Sequence, residues 1–181
     1  KRESAISKRE SASSKRQAGI SECQVPSSRV SNQSDLDSPK TTIGDVTVTV
    51  SHGMLGMPGG IEDKVRAAVA REGRTIADLS IVLSDHATVT RLNELHLNRT
   101  YATDVLAFDL GDAETRRSRR VEGEIYVDLD TALERAPEFG TSYDAEVMRY
   151  VLHGLLHLMG YRDDEPDARQ EMQRLENLYL G

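Results

Sequence analysis

The pattern of apolar and polar positions predicts short strands mixed with amphipathic helices after residue 40. Val46, Val48 and Val50 alternate with polar residues, as in a half-buried strand. Similar apolar positions at 79–83, 105–108 and 125–127 predict three more strands. Apolar residues recur at helical spacing in five segments that begin near residues 61, 85, 128, 142 and 166. This mixture predicts an α+β fold, in which a small mixed four-stranded sheet packs with about five helices.

The helix that begins near residue 142 has the widest apolar stripe of the five. Its stripe consists of Ala145, Met148, Val151, Leu152, Leu155 and Leu156. A stripe this wide indicates burial on more than one side. We therefore expect this helix to be the central one, with the others and the sheet packed around it.

The first forty residues lack this periodicity. The letters KRESA occur at residues 1–5 and again at 8–12, among Ser and other polar residues. So little apolar surface does not offset the entropy lost on ordering. We expect a disordered low-complexity tail at 1–40 and one domain at 41–181. The alternative roles for this tail are an organelle transit peptide and a basic arm that contacts RNA.

Charge limits the ways in which the chain can contact nucleic acid. The net charge of the 181 residues is -7, and the first forty hold eight Lys or Arg against five acids. The remainder holds fifteen against twenty-five, so its net charge is -10. Because Lys and Arg supply most non-specific affinity for phosphates, we expect any RNA contact to be local.

Cysteine content and hydropathy indicate the compartment. Cys23 is the single cysteine, so no disulfide forms within the chain. The sequence has no apolar run of about 18 residues and no apolar N-terminal stretch of signal-peptide type. We therefore expect a cytoplasmic protein without a membrane partner.

A pair of histidines lies on the predicted central helix. His153 and His157 are four residues apart, so their side chains project from one face. Gly160 permits the positive φ that ends a helix, and the following turn brings Asp163 or Asp164 back over that face. Three protein ligands with a fourth position for water are typical of a catalytic divalent-metal site.

Two other interpretations of the histidine pair compete with this one. Two hydrogen-bonded histidines at the edge of a core produce the same spacing. A metalloprotease of the His-Glu-x-x-His type needs Glu directly after the first histidine, and Gly154 occupies that position. The common zinc-protease interpretation therefore lacks its general base.

Three ordered motifs resemble one known family. The run HGLLHLMGY at 153–161 is similar to the motif of the YbeY family of bacterial endoribonucleases. Leu92-Asn93 with TDVLAF at 103–108 resembles the family's central motif, and GEIYV at 123–127 resembles its next strand. The resemblance covers about residues 43 to 180. The family has a third metal-binding histidine ten residues after the first, where this chain has Asp163, so the spacing favours Asp163 over Asp164.

The resemblance implies a function and a cofactor. It implies a single-strand-specific, metal-dependent endoribonuclease of the same fold, active in rRNA maturation and ribosome quality control. His153, His157 and Asp163 would hold one Zn²⁺ per chain, although a carboxylate also suits other divalent cations. The implied partners are single-stranded RNA, mainly rRNA, and the ribosome or components of its small subunit, but not DNA.

The resemblance also suggests residues that contact the substrate. The family carries an Arg four residues after the position of Asn93, where this chain has Leu97. Arg99 is the candidate catalytic cation in its place, with a solvated surface arginine as the alternative. Asn93, Thr103 and Asp104 match the family motif and are candidate substrate-binding residues. Capping of backbone amides in a turn is the alternative role for Thr103 and Asp104.

A dense basic run follows the third predicted strand. Its guanidinium groups suit bidentate contacts with phosphate, and a solvated turn is the alternative. We expect this run in a hairpin or loop, and we predict that it binds the RNA backbone through Arg116, Arg117, Arg119 and Arg120.

Two further functional classes use the same three ligands. One is a metallopeptidase or other zinc-dependent hydrolase. The other is a non-catalytic ribosome assembly factor in which a structural metal ties down the last loop.

Overall fold

The computed structural model describes residues 44–97 and 103–181, which form one sheet and six helices. The strands are β1 (Asp45–Val50), β2 (Thr75–Ser84), β3 (Val105–Asp109) and β4 (Arg120–Asp128). The helices are α1 (Ile61–Arg71), α2 (His86–Leu97), α3 (Ala113–Arg117), α4 (Leu129–Phe139), α5 (Tyr143–Leu158) and α6 (Pro166–Leu180). The predicted α+β fold with a four-stranded sheet is confirmed. The predicted tail at 1–40 lies outside the described residues.

The sheet is mixed, as predicted, because one edge strand runs against the other three. Its order is β1-β2-β4-β3. Strands β1, β2 and β4 are mutually parallel, and β3 pairs antiparallel with β4. The start of β3 therefore lies beside the end of β4, where the Asp128 amide donates to the Asp104 carbonyl at 2.9 Å. Side chains just before β3 and just after β4 thus share one end of the sheet.

Local sequence explains where the helices begin and end. The carboxylate of Asp128 accepts from the Thr131 amide at the start of α4, and Gly140 ends that helix with φ 65°. Pro137 lies in the last turn of α4 without interrupting it. The Ser142 hydroxyl accepts from the first turn of α5. The starts of α4 and α5, predicted near residues 128 and 142, therefore follow from capping residues.

Helix α5 is the central helix, as the width of its stripe predicted. All of its residues from 146 to 157 are buried. It packs against β3 and β4 at Gly154, where an added Cβ would lie 2.8 Å from Ile125 Cγ2 and 3.1 Å from Val105 Cγ2. On the other face of the sheet, the ring of His96 from α2 lies edge-on to Phe108. The glycine after His153 thus allows a close contact between helix and sheet.

Replacing Gly154 with valine is expected to lower the free energy of unfolding by about 1–3 kcal/mol, because the added methyl groups overpack the contact with Ile125. Valine is a modest helix former, so helix propensity offsets little of this cost. Urea unfolding of the metal-free protein measures the change. Gly53→Val is the matched control, because a Cβ at Gly53 meets no atom within 4 Å. Equal stability of both variants would contradict the close contact.

Individual segments add detail that the sequence pattern did not resolve. The basic run lies in the connection between the antiparallel neighbours β3 and β4, as expected for a hairpin, but residues 113–117 of that connection form the short helix α3, which the Asp112 carboxylate caps at its start. Leu95 and Leu178 lie at helical spacing with other apolar residues of α2 and α6, yet they are 67% and 40% exposed. In both helices other residues supply the face that packs inward.

Across the described residues, no helix is long and apolar enough to cross a membrane.

Candidate metal site on helix α5

The two histidines of α5 face each other at close range. The Nε2 atoms of His153 and His157 lie 3.0 Å apart, and the two rings meet edge to face. Their side chains are 5% and 2% exposed. The four-residue spacing on one helix produces this arrangement, as predicted.

The turn after α5 brings one carboxylate to the histidines. Gly160 has φ 92°, and its amide donates to the His157 carbonyl at 2.8 Å, which ends the helix. The two carboxylate oxygens of Asp163 then lie 3.8 Å from His153 Nε2 and 4.0 Å from His157 Nε2. Asp164 is exposed. The structure therefore brings Asp163, and not Asp164, to the histidine pair.

Contacts with the neighbouring segments hold this turn in place. Arg169 of α6 donates from Nε to the Asp163 carbonyl at 3.1 Å. The Tyr161 hydroxyl donates to the Glu72 carboxylate at 2.7 Å. The segment that carries Asp163 is thus anchored on both sides of the carboxylate.

The second nitrogen of each ring also has a partner. His153 Nδ1 lies 2.7 Å from Glu176 Oε1, and His157 Nδ1 lies 3.1 Å from the Tyr161 carbonyl oxygen. Each Nδ1 therefore donates a proton outward, which leaves Nε2 as the nitrogen that faces Asp163. This is the tautomer in which a histidine binds a metal through Nε2.

Burial and neighbouring charges act differently on the three candidate ligands. Burial, together with the neighbouring His153, lowers the pKa of His157 to about 3. Burial opposes charge on His153 as well, but the hydrogen bond and charge of Glu176 outweigh it and raise the pKa of His153. Burial also raises the pKa of Asp163. A cation placed between these groups would therefore meet a neutral imidazole at His157, the carboxyl group of Asp163, and the charge of Glu176 behind His153.

The three donor atoms fit a divalent cation such as zinc. A tetrahedral zinc ion with bonds of about 2.0–2.1 Å has ligand-to-ligand edges of about 3.4 Å. The two Nε2 atoms are 3.0 Å apart, one Asp163 oxygen lies 3.8 Å from His153 Nε2 and the other lies 4.0 Å from His157 Nε2. With one ligand atom from each residue, the three atoms all lie within 4.8 Å of one another, so small shifts would bring them to that spacing. Among the described residues, these three form the only group of His, Cys, Asp or Glu side chains close enough to hold a metal ion.

Two buried charged residues behind the site were missed by the sequence analysis. Glu176 and Arg149 are 3% and 8% exposed, and they form an ion pair at 3.0 Å. Both residues stand out in the sequence, because each is a charged residue at a position where the helical pattern predicts burial. Arg149 lies four residues before His153 on the buried face of α5, and Glu176 falls within the apolar stripe of α6, next to Leu175.

The candidate substrate-binding residues near β3 are largely buried. Asn93, Thr103 and Asp104 are 1%, 8% and 7% exposed. The Thr103 hydroxyl donates to the Val105 carbonyl at 3.0 Å, so it bonds a backbone carbonyl and not the backbone amides considered in the alternative. The charge of Asp104 contributes, after Glu176, to the raised pKa of His153. Contact of these three residues with a substrate stays a prediction.

The four arginines of the basic run differ in their partners. Arg116 pairs with Asp109 at 3.0 Å, and Arg119 donates to the Glu72 carbonyl at 2.9 Å. Arg117 and Arg120 are exposed. Binding of phosphate by all four stays a prediction. Arg99 lies outside the described residues.

The structure also bears on the zinc-protease interpretation. Gly154, which stands where such a protease has its glutamate, faces Ile125 and Val105 of the sheet rather than the histidine rings. A carboxylate at this position would enter the core. The base of a His-Glu-x-x-His protease therefore has no equivalent at this position.

Helix α5 and the turn after it present a buried His-His-Asp cluster beside the mixed sheet, and such a three-ligand set is typical of metal-dependent enzymes. A family model described as endoribonuclease YbeY matches residues 60–181. Since this range is more than half of the chain, the chain belongs to the YbeY family of endoribonucleases. The resemblance that three short motifs predicted is confirmed.

Individual relatives agree with the family. The endoribonuclease YbeY of Salinibacter ruber is 46% identical over 127 residues, which cover 68% of this chain and 81% of the relative. That of Chlorobaculum parvum is 32% identical over 120 residues, covering 66% and 82%. The solution structure of TM1509 from Thermotoga maritima aligns with a TM-score of 0.51 at 26% identity, over 75% of this chain and 87% of that one. This structure supports the α+β fold described above.

Proposed function

We propose that this protein is a single-strand-specific, metal-dependent endoribonuclease that acts in rRNA maturation and ribosome quality control. The observation that carries the proposal is the convergence of His153, His157 and Asp163 within a chain of the YbeY family. The nuclease name of the relatives supplies the substrate class. The alternatives, a metallopeptidase and a non-catalytic assembly factor, have no comparable support.

His153, His157 and Asp163 would hold one Zn²⁺ through two imidazole nitrogens and a carboxylate oxygen. When bound, such an ion polarises a phosphoryl oxygen or lowers the pKa of a bound water toward about 7. The residues of the chain bind the ion, keep both Nε2 atoms directed at one point, and exclude water from the buried side of the site. Other divalent cations suit the same donors, because a carboxylate replaces an imidazole.

The substrate is proposed to approach from the side that carries the buried polar residues before β3. The contribution of the Asp104 charge to the raised pKa of His153 supports this approach. Asn93 and Thr103 would shape the same side from α2 and from the start of β3. Arg99 is proposed as the cation that stabilises charge developing on the phosphate.

Cleavage assays on the purified protein test this function. A labelled single-stranded RNA is expected to be cut, its double-stranded form to resist, and a peptide library to remain intact. Treatment with a chelator is expected to abolish cutting, because the metal supplies the chemistry, and added Zn²⁺ is expected to restore it. Peptide cleavage, or RNA cleavage that persists after complete metal removal, would contradict the proposal.

The exposed Arg117 and Arg120 are proposed to bind phosphates of the RNA. Their double replacement by alanine is expected to weaken RNA binding and to reduce the slope of log affinity against log salt by about 0.7 for each phosphate that is no longer neutralised. A salt titration with fluorescent single-stranded RNA measures this slope. Arg91→Ala, which removes an exposed arginine from α2, is the control. An unchanged slope in the double variant would show that these arginines are solvated and do not contact phosphates of the RNA.

Location and partners follow from the proposed substrate. An enzyme that trims rRNA acts where ribosomes are assembled, so we propose a cytoplasmic location. The single Cys23 agrees with a reducing compartment. The ribosome or components of its small subunit are the proposed partners, and DNA and membranes are not.

A further inference from the structure

A buried ion pair lies directly behind His153. Glu176 of α6 is 3% exposed, and its Oε1 lies 2.7 Å from His153 Nδ1. Its Oε2 accepts from Arg149 Nη1 at 3.0 Å. The same Arg149 nitrogen donates to Asn177 Oδ1 at 3.0 Å. One carboxylate thus contacts a guanidinium and an imidazole at the same time, out of contact with water.

Stability alone does not explain this arrangement. Taking two charges out of water costs several kcal/mol per ion, and apolar replacements of buried ion pairs are often neutral or stabilising. The orientation of a neighbouring group is a more specific reason. Arg149 and His153 lie four residues apart on α5 and share a face. Glu176 reaches both of them because α6 is seated in the core by the buried residues Met172, Leu175 and Tyr179.

We propose that Glu176, held in place by Arg149, is a positioning residue of the candidate metal site. Glu176 accepts the Nδ1 proton of His153, so the Nε2 lone pair of His153 remains directed toward His157 and Asp163. Carboxylates in this role fix the ring of a metal-binding histidine and strengthen it as a donor. His157 has only the neutral Tyr161 carbonyl in the equivalent position. His153 is therefore the stronger donor of the two.

This inference rests on the proposed function in one respect, namely that the three residues bind a divalent cation. It does not require that RNA is cut. Cation affinity and coordination are measured without RNA, so the two proposals fail under different results.

Replacement of Glu176 by glutamine tests the inference, because it keeps the shape of the side chain and removes the charge. Zinc affinity is measured by competition with a fluorescent chelator. Glu176→Gln is expected to bind zinc about 10–100-fold more weakly than the wild type. With Co²⁺ in place of zinc, the visible absorption band is expected to shift, because His153 is no longer held in one orientation.

Glu146→Gln is the matched control. Glu146 is another fully buried glutamate on α5, and it accepts from the Thr141 hydroxyl at 2.7 Å. This replacement is expected to affect stability without changing zinc affinity. The inference is overturned if Glu176→Gln folds and binds zinc within about twofold of the wild type, or if Glu146→Gln weakens zinc equally, since a 10–100-fold loss specific to Glu176 is required.

A second variant covers the case in which Glu176→Gln does not fold. Arg149→Lys keeps a buried cation but loses the planar guanidinium that holds Glu176. It is expected to weaken zinc binding by a smaller factor, and unchanged affinity would overturn the inference. A wild-type protein that binds zinc but cuts no RNA would contradict the proposed nuclease and leave the role of Glu176 to be decided by these affinities. A wild-type protein that binds no divalent cation would overturn both.

Discussion

Replacing His157 with alanine is expected to remove zinc from the purified protein and to lower the rate of RNA cleavage by about 10³-fold or more. A metal ion contributes several kcal/mol of transition-state stabilisation, and each 1.36 kcal/mol is about a factor of ten in rate. His157 is buried, and its pKa is lowered to about 3, so its imidazole is neutral at pH 7 and available as a ligand. Elemental analysis and single-turnover cleavage measure the two effects.

His86→Ala is the control for His157→Ala. His86 is exposed at the start of α2, where its ring contacts the buried Asp128 at 2.6 Å. This variant is expected to retain zinc, because His86 is not part of the candidate metal cluster. If His157→Ala lowers thermal stability while the wild-type protein cuts no RNA, the metal is structural and the assembly-factor alternative gains support.

Asp163→Ala is expected to weaken zinc binding by more than about 100-fold, because Asp163 itself supplies a ligand atom. Loss of a residue that only orients a ligand costs roughly 10–100-fold. RNA cleavage at limiting zinc is expected to fall in parallel. Asp163→His is expected to retain zinc, since it converts the donor set to three imidazoles, which is a known set for catalytic zinc. Zinc competition and cleavage assays on both variants measure the difference.

Asp164→Ala separates the two neighbouring carboxylates. Asp164 is exposed, whereas the Asp163 side chain is 11% exposed and faces the histidines. Asp164→Ala is expected to keep the zinc affinity of the wild type. Loss of zinc from Asp164→Ala with full retention in Asp163→Ala would show that the third ligand is assigned to the wrong residue.

Periodicity was sufficient to predict the main elements of the fold. The alternating valines of β1 and the wide stripe of α5 both depend on burial, which the sequence pattern records directly. Capping residues such as Asp128 and Ser142 fix where the helices begin, close to the starts that the pattern predicted. The short helix α3 was missed because five residues are too few to show a 3.6-residue period. Leu95 and Leu178 remain exposed because neighbouring residues pack the inward face of their helices.

Only part of the site could be predicted from the sequence. The four-residue spacing of His153 and His157 is sufficient to place both rings on one face. The choice between Asp163 and Asp164 depends on the path of a turn, which spacing alone does not determine. Glu176 lies 23 residues from His153 and reaches it through helix packing. No local pattern describes such a contact, although a charged residue within the apolar stripe of α6 was a visible anomaly.

The distribution of the site along the chain has a consequence for biosynthesis. The two imidazoles come from α5, the carboxylate from the connection after it, and the residue that orients His153 from α6. A nascent chain therefore has no complete ion-binding cluster until residue 163 has left the ribosome, and no oriented one until residue 176 has followed. We expect a nuclease built in this way to acquire its ordered divalent-ion site only after residue 176 has emerged.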